Sequence, residues 1–173
     1  MVDKINLIVN DASVLQRLRD LQVRLTDRQM ATAYREIGAD LVESTLRRFE
    51  TSTGPDGKPW APLAEGTVLA VLTRVKGAYG KRGLTKKGAT AKAGRKPLVD
   101  TGVLRDTLRY QLIPGGVEIG TNRFSGEWEG GAAVHQFGSR NGHIPARPFL
   151  GVSADDKATV LGIFDRYLRQ SGA

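Results

Sequence analysis

The chain has 173 residues, 40% hydrophobic and 25% charged, which suits one globular domain (1–173) able to bury a core. It has no cysteine, which excludes disulfides, thiolate catalysis and cysteine zinc sites, and no apolar run long enough to span a bilayer, so no membrane partner is expected. Its net charge of +8 sits in one place: nine lysines and arginines and no acid lie between Gly66 and Val99, leaving 17 basic and 18 acidic residues elsewhere. Such a block is an electrostatic footprint for a polyanion or an acidic protein face. With an acid at Asp3 and no apolar signal core near it, nothing in the sequence suggests secretion.

In chain order, Ile5, Leu7 and Val9 alternate and predict a strand over about 4–9. Val14, Leu15, Leu18, Leu21 and Leu25 recur at helical spacing and predict a helix over 12–25. Thr26 with Gln29 forms a capping-box pattern and starts a second helix. Its apolar stripe, Met30, Ala33, Tyr34, Ile37, Leu41, Thr45 and Phe49, runs to about residue 50. Two prolines and two glycines in Gly54-Pro55-Asp56-Gly57-Lys58-Pro59-Trp60 require a turn. Val68, Leu69, Val71, Leu72 and Val75 suggest a short helix over Glu65–Val75. From Lys76 to Pro97, five glycines, a proline and many cations read as a long, flexible, exposed basic loop.

Order resumes at Leu98. Asp100 or Thr101 is the expected cap of a short helix carrying Val103, Leu104 and Leu108. Alternation around Pro114-Gly115-Gly116 predicts a hairpin with strands at 108–113 and 116–121. Thr121 to Gly131 reads as a loop with Phe124 and Trp128 as anchors, and Ala132–Phe137 as a helical turn. Pro145 and Pro148 hold the next segment extended. Ser153 opens the last helix, Asp156 completes its capping box, and Val160, Ile163, Phe164, Tyr167 and Leu168 form its apolar face. The fold class is α+β: a small antiparallel sheet packed against two or three helices, with a long basic loop.

His135 and His143 are the only histidines, and without carboxylates or cysteines at ligand spacing they make no metal site. His135 is expected to pack on the Phe137 turn and His143 to face solvent. Ser139 lies near both but has no nucleophile-elbow context, so a hydrolase built on His135 is the weakest reading. The glycines and lysines of the basic loop lack phosphate-loop spacing, and Asp56 and Glu65 lack the basic partner of a nuclease cluster, Thr67 standing in its place. No cofactor is expected. The basic loop suits phosphate neutralisation, but Tyr79 is its sole aromatic and no nucleic-acid-binding signature appears. Trp60, Phe137 and Phe149, with Arg147, sit in rigid proline- and glycine-rich surroundings, as interface anchors do; the alternative is that they cap the core from the loops.

The order of motifs is diagnostic. Gly54-Pro55-Asp56-Gly57-Lys58-Pro59-Trp60-Ala61-Pro62-Leu63 follows a helix ending near Phe49. Next come Leu98-Val99-Asp100-Thr101-Gly102-Val103-Leu104, Ile119-Gly120, His135-Gln136-Phe137-Gly138, Ile144-Pro145-Ala146-Arg147-Pro148-Phe149-Leu150-Gly151 and a closing helix. This arrangement, covering Ala33 to Leu168, resembles the phage virion morphogenesis family, the tail-completion proteins of Mu-like and related tailed phages. The resemblance implies a non-enzymatic virion protein of the head–tail connection, in the neck or at tail completion, located in the virion and assembled in the host cytoplasm. It implies a closed ring, typically a hexamer, around the DNA channel, with neighbouring neck, head-completion and tail proteins and packaged DNA as partners. The family's motifs carry no catalytic residue. Trp60, Phe137, Arg147 and Phe149 are the expected residues of assembly or motif packing. Lys81, Arg82, Lys86, Lys87, Arg95 and Lys96 are those of contact with DNA or an acidic partner. The alternative reading is a standalone nucleic-acid-binding protein using the basic loop.

Overall fold

The computed structural model describes residues 27–123 and 131–171, with Ala12, Gln16 and Arg19 as isolated helical positions. The strand expected at 4–9, most of the helix expected over 12–25, the Thr26 cap, Phe124 and Trp128 lie outside the described residues. The long helix α1 spans Asp27–Thr51, α2 Glu65–Arg74, and a small hairpin pairs β1 (Tyr79–Gly80) with β2 (Gly83–Leu84). Then come α3 (Lys86–Ala93), the single turn α4 (Val103–Asp106), the antiparallel hairpin β3 (Arg109–Ile113) and β4 (Gly116–Gly120), α5 (Gly131–Phe137) and α6 (Ala154–Ser171). The fold is α+β, with two separate two-stranded sheets among the described residues.

Helix α1 organises everything else, because its apolar stripe serves two cores. Its first half gives Met30, Ala33, Tyr34 and Ile37 to a cluster closed by Ile163 and Phe164 of α6, with Tyr34 edge-on to Phe164 at 6.4 Å. Its last turns give Phe49 to a second cluster with Trp60, Leu108, Ala132, Phe149 and Leu150. The β3–β4 hairpin lies across α1 where Gly38 leaves room: a Cβ there would sit 2.6 Å from the Tyr110 ring. Its two-residue turn uses Pro114, with φ preset, and Gly115 at φ 75°. The register sets Tyr110 opposite Ile119 and Leu112 opposite Val117, so the expected alternation is realised.

Two expectations are corrected. The cap of α4 is neither Asp100 nor Thr101 but Gly102, in the left-handed region and without a side-chain cap bond. Asp100 instead accepts from Arg95 at 3.2 Å. The stretch from Lys76 to Pro97 is not an irregular loop, since it contains β1, β2 and the whole of α3. Thr85 caps α3, accepting from the Gly88 amide at 3.2 Å and donating toward the Gly77 and Ala78 carbonyls. Gly88 lies in this helix and packs against the Ala78 carbonyl, where any side chain would collide. Leu72, Ala78 and Gly88 are buried and give this arm a small centre of its own.

Candidate functional site

Two regions carry the residues that the sequence singles out: a buried junction between the proline- and glycine-rich motifs, and the exposed basic arm. At the junction the first motif is a closed turn. Thr53 bridges Pro59, the Gly54 amide donates to the Lys58 carbonyl at 2.8 Å, and the Lys58 amide donates to the Asp56 carboxylate at 3.1 Å. Gly57 takes φ 75°, which favours glycine there. The turn delivers Trp60 into the second core, 5.4 Å from Phe49 and nearly perpendicular to it, with Phe149 5.6 Å from Phe49 on another side. The Trp60 indole N–H donates to the Pro148 carbonyl at 2.8 Å, joining the first motif to the last. Pro55 seals the same contact, because its ring fills the space a Cβ on Gly151 would need.

Arg147 works as a backbone clamp. Its guanidinium is 6% exposed and donates to the carbonyls of Ala61 and Pro62, both at 2.7 Å. These bonds satisfy a buried charge through carbonyls of the first motif rather than through an acid. Burial lowers the Arg147 pKa. Its amide donates to the His135 carbonyl at 2.7 Å, tying in α5. The His135 ring is half-buried with Nδ1 shielded from solvent, while His143 is exposed. Burial, and then the neighbouring Arg147 charge, push the His135 pKa down, so the ring is neutral at neutral pH.

Sequence reasoning does not single out Gln136 or Arg48, and it gives Asp156 only its capping role. The Gln136 side chain accepts from the Phe149 and Leu150 amides at 3.0 Å and donates to the Leu150 carbonyl at 2.8 Å. Arg48 donates to the carbonyls of Phe149 and Gly151 at 2.9 Å and to the Asp156 carboxylate at 2.5 Å. Asp156 also accepts from the Ser153 amide at 2.8 Å, and its own amide donates to the Ser153 hydroxyl at 3.1 Å, so the expected capping box is present and doubles as the socket for Arg48. Burial works to raise the Asp156 pKa, but hydrogen bonds from Ser44 and Ser153 and the Arg48 charge outweigh it and hold the carboxyl below its usual range. The signal for Arg48 was its place: a charge beside Phe49, on the side of α1 that must be buried.

Phe137 behaves differently from Trp60 and Phe149. It ends α5 and is 67% exposed, whereas Phe149 is fully buried and Trp60 is 7% exposed. Gly138 follows it at φ 84°, close enough to Ala146 that a Cβ would lie 3.1 Å from the Ala146 amide nitrogen. Ser139 closes the loop behind, its amide donating to the Ile144 carbonyl at 2.8 Å and its hydroxyl accepting from the Ile144 amide at 2.7 Å. An aromatic knob, with exposed Ile144 on the same closed loop, is therefore held out on a rigid base.

On the arm, Arg74, Lys76, Lys81, Arg82, Lys86, Lys87 and Lys92 are exposed, and among the described residues none is in an ion pair. Arg95 and Lys96 are engaged: Arg95 with Asp100, and Lys96 with the Glu50 carbonyl at 2.5 Å, near the C-terminal end of α1. The structure thus divides the six expected contact residues into four free cations and two that fasten the arm. Among the described residues no group of three histidines, cysteines or acids could hold a metal ion, and no helix is long and apolar enough to cross a membrane.

The model of the phage virion morphogenesis family matches residues 9–169 of this chain, nearly its whole length. No curated protein and no solved structure matches it.

Proposed function

The chain belongs to the phage virion morphogenesis family, and on that premise we propose that it is a structural part of the head–tail connection, closing as a ring around the DNA channel and finishing or joining head and tail. Family membership gives the coarser statement, a structural role in the phage virion. The finer reading is carried by one observation: Phe137 stands 67% exposed on a loop whose backbone is fixed on both sides. A rigid exposed aromatic is the kind of anchor that interfaces bury, and leaving it in water costs the free subunit the burial energy it would gain against a neighbour. A ring needs a heterologous contact, in which this knob meets a different patch of the next subunit. Sixfold closure would match the symmetry of a tail. Trp60, Phe149 and Arg147 would then act from inside, by holding the loop that bears the knob.

Electron microscopy of particles lacking this protein should show separate heads and tails; joined, finished particles would refute the reading. The mass of the purified protein in solution should be a multiple of the chain mass, and Phe137→Ala should shift it toward the monomer while leaving the melting temperature within a few degrees. A wild-type monomer at assembly concentration, unchanged in the presence of neighbouring proteins, would remove the ring.

A further inference from the structure

The basic arm is built rather than loose, and that changes what its charge can do. The hairpin tip presents Lys81 and Arg82, the first turn of α3 presents Lys86 and Lys87, and Lys92 follows on the same helix. Thr85 joins hairpin to helix through its bonds to Gly77, Ala78 and Gly88, so these cations are held in one spatial relation. Lys96 and Arg95 anchor the far end of the arm to α1 and to Asp100. Seven exposed cations thus share a small body with no acid to offset them. Their mutual repulsion disfavours this arrangement in the free protein, and lysines in the first turn of α3 also oppose its dipole, where an acid would be favoured and none is present.

We infer that the arm binds the phosphodiester backbone of duplex DNA without reading sequence. Five of the seven cations are lysines, point charges suited to phosphate, and the α3 sequence Lys-Lys-Gly-Ala-Thr-Ala-Lys-Ala has no asparagine, glutamine or arginine to pair with base edges. A single aromatic, Tyr79, gives no stacking platform for separated bases, which selects duplex over single strand. The inference concerns the single chain and stands whether or not subunits close into a ring.

The test is fluorescence anisotropy of the full chain on a mixed-sequence duplex, across a salt series. If all seven cations neutralise phosphates, log K should fall against log salt with a slope of about −6. Replacing Lys81, Arg82, Lys86 and Lys87 together by glutamine should flatten that slope by about 3 to 4 and cut low-salt affinity at least about a hundredfold. Replacing Arg28, Arg35, Arg109 and Arg169 by glutamine removes the same charge elsewhere and should alter affinity only a few-fold. Circular dichroism should show both variants folded, since every altered side chain is exposed. No binding at low salt, equal losses in the two variants, or tighter binding to polyglutamate than to the duplex would each overturn the inference; the last would make the partner an acidic protein.

Discussion

Two regions of this molecule treat arginine and lysine in opposite ways. At the motif junction, Arg48 and Arg147 are 5% and 6% exposed, and their guanidinium bonds end on carbonyls, a hydroxyl and a buried carboxylate. On the arm, seven cations face water without an ion pair among the described residues. The first kind of charge fixes backbone geometry, and losing it leaves buried groups unsatisfied. The second contributes little to folding and keeps its full charge for a ligand. Net charge alone joins the two kinds; only burial and partners separate them.

The sharpest way to break the contrast is at Asp156. Asp156→Ala would strand Arg48 in the interior, with an expected loss of about 3 to 5 kcal/mol in denaturant unfolding. A loss below about 1 kcal/mol, the range of exposed pairs, would put this charge in the same class as those of the arm.

An intermediate effect is expected from acid. The folded His135 pKa lies below its ordinary value of 6.5, so the unfolded chain binds its proton first as pH falls. The stabilisation is present above that ordinary value and is lost on acidification below it. The melting temperature should therefore drop from pH 7.5 to 5.5, less so in His135→Asn. Equal curves for the wild type and His135→Asn would remove His135 as the cause.

The smallest effect belongs to the arm. The four-glutamine variant of Lys81, Arg82, Lys86 and Lys87 should unfold within about 0.5 kcal/mol per site of the wild type. A large destabilisation would mean that these side chains hold the fold as the junction arginines do.

The legible parts of the fold were those with local periodicity. The α1 stripe, the alternation of β3 and β4, and the Ser153–Asp156 capping box each repeat or close within a few residues, and each is found where the pattern lies. The junction was only half legible: Trp60 and Phe149 stood out as large apolar residues among prolines, but Arg48, Gln136 and the second use of Asp156 did not. Each is one polar residue whose partners lie far along the chain, and no spacing rule encodes such a meeting. The arm failed for another reason. Glycine in a basic segment suggests flexibility, whereas Gly88 serves close packing against Ala78, and its alanine- and lysine-rich neighbours are good helix formers.

The Arg48–Asp156 pair spans 108 residues, and that separation has a consequence during synthesis. At translation rates of roughly 5 to 20 residues per second, Arg48 is incorporated about 5 to 20 seconds before Asp156. In that interval Trp60 has no Pro148 carbonyl to meet, and Phe49 has no Phe149. Contacts of this length are formed late and slowly. The nascent chain therefore carries an open, aromatic-rich half-core until its closing helix appears. A product cut short before Asp156 would carry the basic arm and its fastening partners, Glu50 and Asp100, but not the helix that closes the core.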